Sequence, residues 1–183
     1  MVLEIAGELH RAVLALRRAL KPVVASVHGA VAGAGVSLVV AADFVIAAAD
    51  TQFTLAYSRI GASPDGGATW FLPRLVGYQK ALELMLLSEA VDAATMQALG
   101  VVNRVVPAAD LERETRRVVE RLANGPTLAY AATKKLANQG FVNSLPQHLD
   151  EEAQAFARCA ATHDFAEGVT AFVEKRKPVF KGE

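Results

Sequence analysis

The sequence is poor in the residues that crosslink a chain or hold a metal. Its 183 residues include one cysteine, Cys159, and four histidines. A single cysteine forms no internal disulfide, and the chain has no cluster of cysteines and histidines of the kind that binds zinc. These absences exclude a disulfide scaffold, argue against a metal site and favour a reducing, cytoplasmic environment.

Neither sign of charge is in excess. The 19 Lys and Arg residues balance 19 Asp and Glu residues, so the formal net charge at pH 7 is zero. Nucleic acids and anionic membranes attract proteins whose positive charge is clustered. We therefore expect no nucleic-acid partner and no membrane partner.

Long hydrophobic runs are also missing. The longest stretch free of charged residues and histidine covers residues 29–42, which is shorter than the ~20 apolar residues of a membrane-spanning helix. Glu4 and Glu8 lie where a secretory signal would be basic. The chain is nevertheless 52% hydrophobic, so it can bury a substantial core.

Strand and helix signals alternate over the first two thirds of the chain. Strands are predicted at residues 23–27, 44–46, 51–55 and 101–106, and a small-residue helix at 36–42. Helices follow at 127–138, 145–161 and 164–175, the last with Asp164 and Glu167 at the spacing of a capping box. This predicts an α/β core over residues 1–124 and a helical region over residues 125–183.

A glycine-rich segment, His28-Gly29-Ala30-Val31-Ala32-Gly33-Ala34-Gly35, connects a predicted strand to a predicted helix. It fits neither the G-x-G-x-x-G dinucleotide pattern nor the P-loop, because no Lys-Ser or Lys-Thr follows it. The backbone pattern leaves two interpretations open. One is close packing of helix on sheet, and the other is a helix N-terminus whose free N–H groups stabilise an oxyanion.

A second segment, Gly61-Ala62-Ser63-Pro64-Asp65-Gly66, is superficially like a nucleophile elbow. Its G-x-S-x-x-G spacing is one residue too long and a proline follows the serine, so we do not predict a serine hydrolase. Asp65 in Pro-Asp-Gly is first of all a turn residue, because aspartate bonds its own backbone. A catalytic carboxylate is the alternative interpretation.

Taken in chain order, these segments resemble the crotonase (enoyl-CoA hydratase/isomerase) superfamily. The resemblance rests on residues 28–35, Asp43-Phe44-Val45-Ile46-Ala47, Pro64-Asp65-Gly66-Gly67, Gly100-Val101-Val102-Asn103 and the closing residues 172–180. Residues 56–61 and 64–70 are most similar to the branch that holds the 1,2-epoxyphenylacetyl-CoA isomerase of phenylacetate metabolism.

The resemblance implies a crotonase-like spiral of ββα crossover units, with C-terminal helices that form a homotrimer or a dimer of trimers. Members of the family carry a further N-terminal segment, which includes the loop that gives the first oxyanion N–H. This chain begins after that segment, so the resemblance implies an N-terminally truncated spiral whose catalysis is impaired.

The resemblance also implies an acyl-CoA thioester as substrate, in fatty acid or phenylacetate metabolism, with no cofactor besides the CoA that the substrate carries. The N–H of Ala34 maps onto the second donor of the oxyanion hole, and Asp65 onto the catalytic aspartate of the isomerase branch. Gly33, Gly35 and Tyr57 are implied to contact the substrate.

The two glutamates with which family hydratases add water map onto Ser37 and Tyr57. Neither residue is a general base near neutral pH, so hydration is not expected. One carboxylate suffices for isomerisation through an enolate. We therefore predict a CoA-thioester isomerase that uses Asp65, and we expect Ser37 and Tyr57 to affect the fit of the substrate more than the rate. The alternatives are a hydratase or other enzyme of the same fold, or a trimerising remnant without catalysis.

Overall fold

The computed structural model describes residues 2–183 of the chain. Its helices are α1 (Val2–Arg18), α2 (Ala34–Ala41), α3 (Ala68–Val76), α4 (Tyr78–Leu87), α5 (Ala93–Ala98), α6 (Leu111–Ala123), α7 (Thr127–Gln139), α8 (Leu145–Ala160) and α9 (His163–Val173). Its strands are β1 (Val24–Val27), β2 (Ala30–Ala32), β3 (Phe44–Ala48), β4 (Gln52–Thr54), β5 (Val91–Asp92) and β6 (Arg104–Val106). This alternation confirms the predicted α/β class.

The strands form two small sheets. The first has the order β1-β3-β6 and is entirely parallel, while the second has the order β2-β4-β5, with β2 and β4 parallel and β5 antiparallel to β4. Parallel neighbours need crossover connections, and α2 is part of the connection from β1 and β2 to β3 and β4. The N-terminus of α2 therefore lies next to the strand ends of the second sheet.

Asn103 ties β3 to the turn that precedes β6. The backbone N–H of Val45 donates to Asn103 Oδ1 at 2.7 Å, and the Asn103 N–H donates to the Val45 carbonyl at 2.9 Å. An asparagine can satisfy both backbone groups of one strand residue in this way. The pair gives a physical reason for Asn103 in the Gly100-Val101-Val102-Asn103 motif.

The structure differs from the prediction at the glycine-rich segment. Residues 30–32 form β2, paired with β4, and α2 begins at Ala34, two residues earlier than predicted. The three residues Ala-Val-Ala show no alternation of polar and apolar side chains, so nothing in the local sequence predicts this strand. The pairing of β2 with β4 fixes the position of this segment. Gly33 then connects β2 to α2.

The core around α2 is apolar on nearly every side. Val36, Val39 and Val40 are buried there, together with Phe53 of β4 and Leu72 of α3. Ser37 is fully buried within the same helix. A buried hydroxyl needs a hydrogen-bond partner, so the Ser37 hydroxyl is expected to bond a group that packs against α2.

The chain divides into two compact units. The first comprises residues up to Arg17 together with Val23–Arg116, and the second comprises Arg18–Pro22 together with Arg117–Glu183. Both sheets belong to the first unit, and α7, α8 and α9 belong to the second. The boundary predicted at residues 124 and 125 lies between α6 and α7.

The start of α9 in the second unit differs from the predicted capping box. Thr162 is the N-cap of α9, because its hydroxyl accepts the Phe165 N–H at 3.1 Å. Asp164 is 3% exposed and instead accepts the N–H groups of Lys181 and Gly182 at 2.7 and 2.9 Å. The predicted Asp164–Glu167 box is therefore wrong, since tertiary contacts with the C-terminal tail engage the Asp164 carboxylate.

Among the helices of residues 2–183, none is both long enough and apolar enough to cross a membrane.

Candidate active site

The N-terminus of α2 presents free backbone donors. The Gly33 N–H donates to the Thr54 carbonyl at 2.9 Å, which fixes the entry to the helix. Within residues 2–183, the N–H groups of Ala34 and Gly35 donate to no acceptor, and Ala34 is exposed. Free N–H groups at a helix N-terminus favour a partial negative charge on a ligand oxygen.

Gly33 makes this helix start possible. Its φ of 51° and ψ of −118° lie in a region that residues other than glycine rarely adopt. A Cβ built on Gly33 would lie 3.9 Å from the Tyr57 ring. Gly33 therefore turns the backbone so that Ala34 begins the helix, and it places this turn beside Tyr57.

Asp65 precedes α3 and is fixed at its main chain. Its carbonyl accepts the Ser37 hydroxyl at 2.8 Å and the Ala68 N–H at 3.3 Å. Ser37 follows Ala34 by three residues on α2, and such residues share one face of a helix. The helix that offers the Ala34 N–H therefore also anchors Asp65.

The Asp65 side chain is held by Tyr57. The Tyr57 hydroxyl donates to Asp65 Oδ1 at 2.5 Å and lies 3.4 Å from the Ser37 hydroxyl. Burial, and then the hydrogen bond to Asp65, raises the pKa of Tyr57 above its usual 10.0. The phenol therefore keeps its proton near neutral pH and acts as a hydrogen-bond donor to the carboxylate.

A buried serine anchors the turn that carries Tyr57. The turn is a 3₁₀ helix, Tyr57–Ile60, entered at Ala56 with a left-handed φ of 54°. The Ser88 carbonyl accepts Arg59 Nη2 at 2.5 Å and the Thr54 hydroxyl at 3.0 Å, and the Ser58 and Ser88 hydroxyls lie 2.7 Å apart. These contacts fix the position from which Tyr57 reaches Asp65.

Four of the residues singled out from the sequence come together here. Gly33, Ala34, Tyr57 and Asp65 lie around the start of α2, whereas a Cβ on Gly35 would point at Val31 of β2, 3.6 Å from its side chain. At that distance a methyl group would make an ordinary van der Waals contact, so the packing of α2 on β2 does not require a glycine at position 35. The predicted contact of Gly35 with the substrate stays a prediction.

Sequence reasoning missed the hydrogen bonds that Ser37 and Tyr57 make with Asp65. These three residues are separated by 8 and 28 positions along the chain, and no local spacing predicts contacts of that kind. The burial of Ser37 within an apolar helix is the one signal that could have suggested a partner. Among the described residues, no group of three or more His, Cys, Asp or Glu side chains could hold a metal ion.

The crossover connections give an α/β fold in which Tyr57 lies between the start of α2 and the Asp65 carboxylate. Residues 4–183 match the sequence model of the family described as Enoyl-CoA hydratase/isomerase. The chain belongs to this family, which confirms the resemblance found in the sequence.

Individual relatives carry both hydratase and isomerase names. A Rhodobacter capsulatus protein named "Probable enoyl-CoA hydratase" is 45% identical over 88% of this chain and 63% of its own length. The Escherichia coli K12 protein named "1,2-epoxyphenylacetyl-CoA isomerase" is 36% identical over 89% of this chain and 62% of its own length. The chain therefore spans less than two thirds of these relatives.

A solved structure supports the fold. The crystal structure of an enoyl-CoA hydratase from Polaromonas sp. JS666 has a TM-score of 0.91 and 39% identity, covering 94% of this chain and 67% of that one. Because these relatives bear both hydratase and isomerase names, they support the family and leave the predicted branch a prediction.

Proposed function

We propose that the chain is the core of a CoA-thioester isomerase, with Asp65 as the proton shuttle and the Ala34 N–H as one donor of the oxyanion hole. The observation that carries this proposal is the carboxylate fixed beside the start of α2. Ser37 holds its main chain and Tyr57 holds its side chain. A fixed carboxylate next to free N–H groups suits proton transfer beside a thioester carbonyl.

The reaction moves one proton and one double bond. Asp65 takes a proton from the carbon alpha to the thioester carbonyl, and the electrons of that C–H bond move towards the carbonyl to form a dienolate. The Ala34 N–H donates to the oxyanion that results. Asp65 then returns the proton at the gamma carbon, so the double bond passes from the β,γ to the α,β position.

Acyl-CoA is the proposed substrate class, and no cofactor beyond it is required by this chemistry. The name of the Escherichia coli relative supports a CoA thioester. Proton removal and return leave the oxidation state of the substrate unchanged, so one acid–base group and oxyanion donors suffice.

Hydration is the second candidate, because the Rhodobacter capsulatus relative bears a hydratase name. Addition of water requires a base to activate the water and an acid to protonate the alpha carbon. The family resemblance maps the two hydratase glutamates onto Ser37 and Tyr57, whose hydroxyls donate to the carbonyl and to the carboxylate of Asp65, respectively. This arrangement favours isomerisation over hydration.

The substitution Asp65→Asn tests the assignment. Asparagine keeps the size and turn-forming ability of aspartate but neither accepts nor returns a proton at neutral pH. We expect the rate of isomerisation of a 3-enoyl-CoA, followed by absorbance of the conjugated product, to fall about 10²- to 10⁴-fold. Asp50→Asn, at an exposed turn position, is the matched control and should retain the rate.

Two results would contradict the proposal. One is retention of more than about a tenth of the rate by Asp65→Asn, since a general acid–base group contributes at least ~10²-fold. The other is water addition, monitored in the same samples, that proceeds faster than isomerisation. Either result would require a different acid–base group.

Ligand binding separates an enzyme from a remnant that only assembles. A ligand that binds the folded state alone stabilises it, by about 2.7 kcal/mol at 100 times its Kd. We expect an acyl-CoA to raise the melting temperature in proportion to the logarithm of its concentration, and free adenosine to raise it less. An unchanged melting temperature at millimolar acyl-CoA would favour the remnant.

A further inference from the structure

We propose that Tyr57 is a positioning residue for Asp65, whose hydroxyl holds Oδ1 and leaves Oδ2 as the oxygen that exchanges the proton. This inference rests on the proposed function of the site. It assigns Tyr57 a role in the rate, where the sequence predicted only a contact with the substrate.

The two oxygens of the Asp65 carboxylate are not equivalent. Oδ1 accepts the Tyr57 hydroxyl at 2.5 Å, whereas within residues 2–183 no donor bonds Oδ2. A carboxylate otherwise rotates readily about its last torsion. The single short hydrogen bond therefore fixes the rotation and distinguishes the two oxygens.

The main chain of Asp65 is fixed from α2. The Ser37 hydroxyl donates to the Asp65 carbonyl at 2.8 Å, and Ser37 is fully buried. Tyr57 and Ser37 thus hold the same residue at its side chain and at its backbone. Two anchors of this kind leave little freedom for the carboxylate to move relative to the Ala34 N–H.

The Tyr57 hydroxyl is itself a well-placed donor. The contacts of Arg59, Ser58 and Thr54 with Ser88 fix its 3₁₀ turn, and its ring lies beside Gly33. Burial raises the pKa of this phenol, so its proton stays on Oη. Tyr57 therefore donates to Oδ1 throughout the reaction and does not act as the base.

The proton transfer then runs through one oxygen. Oδ2 forms a bond to the proton of the alpha carbon while that C–H bond breaks and its electron pair enters the dienolate. The new O–H bond breaks in turn when the gamma carbon takes the proton, and the carboxylate is restored. The Tyr57 O–H bond stays intact in both steps.

The kinetic test is Tyr57→Phe, which removes the hydroxyl and keeps the ring. We expect kcat for isomerisation to fall about 10- to 100-fold, because small displacements of a reacting group are costly, while KM changes less than about threefold. Tyr78→Phe is the matched control, since Tyr78 is exposed, and it should leave both constants unchanged. An unchanged kcat in Tyr57→Phe, with an active wild type, would overturn the proposal.

A spectroscopic test detects the hydrogen bond between Tyr57 and Asp65 and does not require isomerase activity. The ultraviolet titration of tyrosine, taken as the difference between each protein and the same protein carrying Tyr57→Phe, gives the ionisation of Tyr57 alone. We expect its midpoint to lie above 10.0 and to fall in Asp65→Asn, which lacks the negative charge beside the phenol. An unchanged midpoint in Asp65→Asn would overturn the proposal, whereas a wild type that isomerises nothing would overturn the proposed function instead.

Discussion

At the level of single residues, the space behind Asp65 depends on the glycine that follows it. Gly66 has a φ of 60°, and a Cβ built on it would lie 2.8 Å from Ser37 Cβ and 3.0 Å from Leu9 Cδ2. Distances this short require the neighbours to move. Ser37, which anchors Asp65, is therefore packed directly against the backbone of Gly66.

We predict that Gly66→Ala destabilises the fold by about 3 kcal/mol. Overpacking costs about 1–3 kcal/mol, and a left-handed conformation about 1–2 kcal/mol more for residues other than glycine. Urea unfolding of the purified variant measures the loss. Isomerase activity should fall as well, because Ser37 is displaced.

Gly61→Ala is the matched control for that prediction. Gly61 also has a positive φ, 70°, but a Cβ there would meet nothing within 4 Å. Its cost should be only the ~1–2 kcal/mol of the backbone conformation. Equal losses of stability in the two variants would show that crowding against Ser37 and Leu9 contributes nothing.

The sequence could predict part of this site and not the rest. Pro64-Asp65-Gly66 shows a turn and the segment around Ala34 shows a helix start, because both depend on local backbone chemistry. The Tyr57–Asp65 hydrogen bond depends on a 3₁₀ turn held by Ser88, which is far away in sequence. Contacts of that kind are set by tertiary packing.

At the level of elements, a bidentate ion pair between Arg176 and Glu167 holds the C-terminal residues against α9. Arg176 Nη1 and Nη2 donate to Glu167 Oε1 and Oε2 at 2.6 and 2.8 Å, and the Val179 N–H donates to Oε1 at 2.8 Å. The hydrogen bonds from Arg176 are the main reason that the pKa of Glu167 falls from 4.5 to about 2.

This lowered pKa predicts a pH dependence of stability. The contribution of Glu167 is fully present above pH 4.5 and is lost as the pH falls through about 2. We expect the difference in urea midpoint between the wild type and Glu167→Gln to be constant near neutral pH and to shrink below pH 4.5.

Arg176→Lys serves as the control for the pH dependence. Lysine keeps the positive charge but lacks the planar fork that bonds both carboxylate oxygens. The loss of stability on acidification should therefore be smaller in Arg176→Lys than in the wild type. An equal pH dependence in the two proteins would show that the fork does not set the pKa of Glu167.

Elements were predicted well where their periodicity was long and poorly where it was short. α8 and α9 follow apolar stripes of several turns, and α7 and α8 begin at the predicted residues Thr127 and Leu145. The three residues of β2 carry no such pattern and were missed. Asp164 matched the capping box locally, but its carboxylate binds the tail, which no local rule reveals.

At the level of the whole molecule, the second unit leaves many large apolar side chains exposed. On α8 and α9 they are Leu145, Leu149, Phe156, Phe165, Val169, Phe172 and Val173. Monomeric proteins rarely leave contiguous apolar patches of large area uncovered. The proposed occupant of this surface is a second copy of the chain, in the homotrimer or dimer of trimers that the family resemblance implies.

We predict that the protein sediments as a trimer or a hexamer at micromolar concentration and that Phe172→Asp shifts it towards the monomer. Phe172 is 85% exposed, so a charge there leaves the folded monomer intact but is costly once buried at an interface. Leu86→Asp, at an equally apolar position of α4 that is 65% exposed, is the control and should assemble like the wild type. Far-ultraviolet circular dichroism checks that both variants are folded.

A closed, symmetric contact between copies covers the same side chains in every subunit. A wild type that sediments only as a monomer would rule out this assembly. Equal assembly of Phe172→Asp and the wild type would instead place the subunit contact away from α9.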